Sequence, residues 1–244
     1  MAVTRHDEII TMGEVLSRIG KGTTATDAEI GQLQLVKVGA EAAIRRFLRI
    51  NVTQDTYTRY YPKGNPYDRR RATLGSQLVL EEMPLRSITS IYEDDGGYFG
   101  QVAGSYASTT QLTEGSDYYW QREESDFSRA AIITRRNTEW PADPGSIKVT
   151  FVAGWTEAEL HGNVSSPIYD ASEIRDGLMR TIAEHWNDMK QAQSGQGGSG
   201  GAIKAERLAD YSVEYDTAVA GQGIQIPKDV KIALRKYRRL VKVI

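Results

Sequence analysis

The sequence predicts an α+β protein, with helices towards both ends and an antiparallel, strand-rich middle. Three observations predict it. Two Thr-x-x-Glu helix starts open the chain at Thr11 and Thr26. Short β-branched and aromatic runs, separated by Gly, Pro and Asp clusters, fill Leu85 to Trp155. Apolar residues recur every three or four positions after Pro167 and again after Pro227. The 244 residues are enough for one domain or for a core with an insertion, burying roughly 70% of the unfolded surface.

Composition removes several classes of function. With no cysteine, disulfides, thiolate metal sites and cysteine nucleophiles are excluded. No apolar run approaches the roughly 20 residues of a membrane span and no signal-peptide core opens the chain, so a soluble protein not exported by that route is expected. The net charge of -2 is unevenly spread: residues 1–71 hold 12 Lys/Arg against 8 Asp/Glu, residues 72–170 hold 6 against 15, and residues 171–244 hold 12 against 9. Basic ends around an acidic middle fit different partners meeting different parts, or acidic loops that keep a sheet soluble.

Taken in order, Thr11 with Glu14 predicts a short helix with Val15, Leu16 and Ile19 on its apolar face, stopped by Gly20-Lys21-Gly22. Thr26 with Glu29 predicts a long one to about Ile50. There Ile30, Leu33, Val36, Ala40, Ile44 and Phe47 share a face, and Lys37, Glu41, Arg45 and Arg49 take others. The second helix is too long for the recognition helix of a helix-turn-helix. Residues 53–71 are tyrosine-rich and then basic: Tyr57, Arg59, Tyr60, Tyr61, Tyr67, Arg69, Arg70 and Arg71. Such interleaving can stack on bases and neutralise phosphates, or form a polar, half-buried hairpin about Pro62 to Pro66.

Strands are expected at 77–82 and 86–94, broken by Pro84, and then at 117–120, 131–134 and 147–155. Between 95 and 108, Gly96, Gly97, Gly100 and Gly104 make a loop without the spacing of a phosphate loop. The pairs Glu81/Glu82, Asp94/Asp95 and Glu123/Glu124 are adjacent, and neighbours in a strand point to opposite faces, so none alone flanks one glycosidic bond. His6, His161 and His185 lack the spacing of a helical metal site, and no nucleophile elbow is present.

Asp170 with Glu173 predicts a third helix to about Gln191, with Ile174, Leu178, Ile182, Trp186 and Met189 packing on the helix at 26–50. A low-complexity stretch, 191–201, precedes an alternating strand at 203–215. The final helix follows Pro227, with Val230, Ala233, Leu234, Tyr237 and Leu240 as its apolar face. The basic segment from Arg235 through Lys236, Arg238, Arg239 and Lys242 ends in an extended Val241-Lys242-Val243-Ile244. That tail is the leading candidate interaction site.

Three segments together resemble the head-to-tail connector (adaptor) proteins of tailed bacteriophages. They are the N-terminal helix pair, the middle with Ser-Ile-Thr-Ser-Ile-Tyr, Asp-Tyr and Trp-Pro…Val-Thr-Phe-Val-Ala-Gly-Trp, and the closing Glu206 to Val213 followed by Pro227 and Leu234 to Arg239. The resemblance lies in their order and covers most of the chain. It implies a helical core from 1–51 and 156–244 with an inserted β lobe from 52–155. It also implies a non-enzymatic virion protein, made in the host bacterial cytoplasm, that takes no cofactor or metal. Such proteins form a ring, usually of twelve copies, below the portal, where they meet a tail-side neck or tail terminator protein while packaged double-stranded DNA passes through. On that expectation Arg235, Lys236, Arg238, Arg239, Val241, Lys242, Val243 and Ile244 dock on the portal, and Arg69, Arg70 and Arg71 are candidates to face the DNA. The competing classes are a nucleic-acid-binding module, which predicts salt-sensitive DNA affinity by the monomer, and a carbohydrate-active enzyme, which needs converging carboxylates.

Overall fold

The computed structural model describes residues 8–61, 75–94, 103–120, 131–141, 143, 145–163, 170–193, 203–207, 212–215 and 224–238. The fold is α+β. The chain divides into two compact units, one built on Met1–Arg49, Leu160–Asn163 and Asp170–Leu240, the other on Ile50–Glu159.

In the helical unit, α1 (Met12–Arg18) starts at a reciprocal cap: Thr11 Oγ1 accepts from the Glu14 N–H, and Glu14 Oε2 accepts from the Thr11 N–H at 2.6 Å. Thr26 and Glu29 repeat it at the start of α2 (Asp27–Leu48), which ends on Arg49 in the left-handed region, φ 61°. A short α3 (Glu157–Leu160) starts in the other unit and ends in this one, and α4 (Ser172–Gln193) and α5 (Lys228–Ala233) follow, the latter continued by one 3₁₀ turn, Leu234–Tyr237. Helix α4 packs against α1, α2 and α5. Leu33, Val36, Ala40 and Ile44 of α2, Ile174, Leu178, Ile182 and Trp186 of α4, and Val230 and Leu234 at the C-terminal end are all buried. Gly177 makes the α4–α5 approach possible, since a Cβ there would lie 2.9 Å from Val230 Cγ1.

Four details of this unit depart from expectation. Lys37 and Glu41 are buried, at 1% and 7% exposure, because residues 8–10 lie over them: Lys37 Nζ reaches Glu8 at 3.2 Å and Glu41 at 3.6 Å, and the Ile9 N–H donates to Glu41. Burial pushes the Glu41 carboxyl up, against the pull of Lys37 and Arg45. Ala233 is exposed, because the chain tightens to a 3₁₀ turn just after it and the buried side chains become Leu234 and Tyr237. Helix α4 starts two residues later than Asp170, whose Oδ1 accepts from the Ser172 N–H at 2.9 Å. Lastly, 203–215 holds an antiparallel hairpin of β7 (Ile203–Arg207) and β8 (Ser212–Tyr215), so backbone groups pair within the segment. The glycine-rich 194–201 lies outside the described residues.

The second unit contains two three-stranded antiparallel sheets. One has the order β1-β6-β3, from β1 (Asp55–Tyr61), β6 (Ile147–Ala153) and β3 (Leu85–Glu93); the other has the order β2-β5-β4, from β2 (Gln77–Val79), β5 (Ile132–Arg135) and β4 (Tyr118–Trp120). Strand β6 alternates as its sequence predicts: Ile147, Val149, Phe151 and Ala153 are buried, with Lys148, Thr150 and Val152 half-buried between them. The buried set packs with Tyr57, Ile91, Ile133 and Trp140. Strand β1 pairs with β6, remote in sequence; the expected turn at 62–66 lies outside the described residues. Gly154, at φ 104°, lets the chain pass so close to Thr53 that a Cβ would come within 2.5 Å of its carbonyl oxygen. There the Trp155 N–H donates to the Val52 carbonyl at 2.9 Å.

Candidate functional site

The basic C-terminal segment is rooted by α5 and its 3₁₀ turn. Tyr237 is buried and its hydroxyl donates to the Asp170 carbonyl at 2.9 Å. Two of the expected docking cations already have internal work. Lys236 Nζ pairs with Glu173 at 2.8 Å, and that bond holds the ammonium above its ordinary pKa. The Arg238 guanidinium lies 5.3 Å over the Phe47 ring. Arg235 is exposed and has no ion-pair partner among the described residues. Arg239, Val241, Lys242, Val243 and Ile244, like Arg69, Arg70 and Arg71, lie outside the described residues.

The acidic candidates form no catalytic arrangement among the described residues. Glu81 and Glu82 both reach Arg59, at 3.9 Å and 3.2 Å, and Glu82 also accepts from the Asn51 N–H. They converge despite being adjacent because β2 ends at Val79 and 81–84 is a bend, so strand alternation does not apply. The guanidinium between them offsets one of the two charges. No group of three His, Asp or Glu among the described residues is placed to hold a metal ion.

Sequence reasoning missed the convergence on Glu14. Its Oε1 takes Arg175 Nη2 at 2.7 Å and lies 2.8 Å from His161 Nε2, joining α1 to α4 and to the turn after α3. An open groove of about 540 Å³ runs beside it, lined in part by Ser17, Arg18, Asp176 and Met179. Burial raises the Glu14 pKa, but the Thr11 N–H, Arg175, His161 and the Thr11 hydroxyl more than offset it and hold the carboxyl at about 2, below its ordinary 4.5. Glu29 is likewise held at about 2, by the Thr26 N–H, Lys190 and Lys21. Both pKa values are depressed on folding, so their stabilisation is full above about pH 4.5 and is lost as pH falls through about 2. Thermal midpoints measured from pH 5 to pH 2 are expected to drop steeply, and Glu14→Gln should flatten that dependence while costing about 1–2 kcal/mol at neutral pH. A Gln variant with the same acid slope as the parent would contradict the assignment.

A second unforeseen cluster lies on the outer face of the β1-β6-β3 sheet. The register sets Tyr60 and Tyr92 on either side of Lys148. Lys148 Nζ lies 5.8 Å from the Tyr92 ring and 5.6 Å from that of Tyr106, which packs on Tyr60. Burial, reinforced by Tyr60 and Asp94, pushes the Tyr106 phenol up to about 12. Alternation within each strand was legible, but the pairing of strands that brings these rings together was not.

The fold is shared with solved particle structures. One is a chain in the neck of an empty gene transfer agent (GTA) particle computed with C6 symmetry, 14% identical over 96% of this chain and 92% of that one, with a TM-score of 0.51. Another is a chain in the virion of the native GTA particle, 13% identical with the same coverage and TM-score. At these identities the likeness is one of fold. No protein-family model matches the sequence, and no curated protein does.

Proposed function

We propose that this chain is a structural subunit of the neck of a tailed-phage-like particle, a head-to-tail connector that forms a ring below the portal. The observation that carries the proposal is a shared fold along 96% of the chain with a chain of a GTA neck. The order of the sequence segments points the same way. In this function the 1–51 and 156–244 core and the 52–155 lobe supply a heterologous contact that repeats around the ring, usually of twelve copies. One end meets the portal and the other a tail-side neck or tail terminator protein, and packaged double-stranded DNA passes through the lumen. Arg235, Lys236, Arg238 and Arg239 meet acidic groups of the portal, and Val241 to Ile244 add to an exposed sheet edge there. Arg69, Arg70 and Arg71 face the DNA. The work is mechanical and adhesive, without turnover.

Negative-stain electron microscopy of the purified chain, alone and mixed with the portal ring of the same particle, tests this. Rings stacked coaxially on the portal are expected. Particles that ignore the portal and bind DNA in a salt-dependent way would replace the proposal with a nucleic-acid-binding module.

A further inference from the structure

Helix α2 presents a second apolar face, opposite the one that packs in the helical unit. Leu35 is 75% exposed and Val38 47%. With the exposed Ala28, Gly31 and Ala42 they form one stripe, spaced 3, 4, 3 and 4 residues apart. Ala28, Gly31 and Ala42 would let another helix approach closely, and the two large side chains sit at the middle of the stripe. Charge marks its ends. Asp27 is exposed at the start of the helix and Arg46 is exposed near its end, and neither has an ion-pair partner among the described residues.

This arrangement is self-complementary in one sense only. Laid antiparallel about a two-fold axis between positions 36 and 37, two copies of α2 set Leu35 against Val38, Gly31 against Ala42 and Asp27 against Arg46. A parallel pair would instead set Asp27 beside Asp27 and Arg46 beside Arg46. We propose that the exposed face of α2 is an isologous contact, on which two free copies of this chain pair antiparallel.

At 22 residues the helix is about 33 Å long, and only Leu35 and Val38 from each copy form the apolar centre. The pair is therefore small, reversible and concentration-dependent, in the micromolar range. A two-fold contact closes on itself and does not repeat around a ring. The inference concerns the free protein and stands or falls independently of the neck function.

Sedimentation velocity of the full chain over a wide concentration range tests it. The mass is expected to rise from one chain to two as concentration increases. Leu35→Asp should hold the protein at one chain throughout, with an unchanged circular dichroism spectrum. Asp27→Arg and Arg46→Asp should each weaken pairing about tenfold, since each turns two attractive contacts into repulsive ones. The double variant should recover most of that loss. A mass that Leu35→Asp leaves unchanged, whether one chain, two or a ring, overturns the inference. So does a pair in which the two charge variants fail to rescue each other, and so does a wild-type protein that stays single at every concentration, which would leave this face to a different partner. None of these outcomes bears on portal stacking, which microscopy reads separately.

Discussion

Chains lacking residues 241–244 are expected to lose attachment to the portal while keeping their fold. In the proposed docking mode, backbone hydrogen bonds that Val241 to Ile244 make to a sheet edge give affinity, and alternate side chains give register. Without the strand the remaining cations are left to act through long-range attraction, which speeds encounter more than it holds a complex together. The fold should survive because the last described anchor, Tyr237, lies upstream of the cut: its ring is buried and its hydroxyl is held by the Asp170 carbonyl. Co-sedimentation with portal rings and a thermal melt check both halves. Normal attachment of the truncated chain would contradict the docking mode. Arg235→Glu should weaken attachment without abolishing it, because one exposed charge contributes on the order of 1 kcal/mol or less.

The largest loss of stability is expected from Phe151→Ala. The ring is fully buried in the centre of β6, pairs with Tyr57 and Ile88 across the two flanking strands, and packs 5.7 Å from the Tyr57 ring. Truncation removes the burial of a large side chain and leaves a cavity in a core that relaxes only in part, a cost of about 3–5 kcal/mol. Val152, one residue on, is half-buried on the other face, and Val152→Ala should cost about 1 kcal/mol or less. Urea unfolding of the two variants measures the contrast. Equal losses would mean that the alternation of β6 does not decide what it buries.

Local chemistry made much of this fold legible. The Thr11 and Thr26 caps formed as their spacing required, because each satisfies two backbone amides within four residues of chain. The alternation of β6 and the apolar face of α4 were equally direct. What failed was whatever depended on distant segments. Lys37 and Glu41 were read only as lying off the apolar face of α2, yet residues 8–10 cover them and supply partners. Arg86 donates to the Gly154 carbonyl and to Glu159, closing a clamp between β3 and the start of α3 that no local pattern announces. The candidate site was legible as a run of cations. The internal partners of Lys236 and Arg238 were not, since Glu173 and Phe47 come from other helices.

These internal partners refine the proposed docking. Lys236 and Arg238 help to fix the last turn, so of the proposed docking cations among the described residues Arg235 is the one without an internal partner. Whether the chain joins head to tail is read most directly by electron microscopy of particles from a genome deleted for its gene. Separate heads and separate tails are expected, rejoined when the gene is restored. Complete tailed particles from the deleted genome would rule out the connector function.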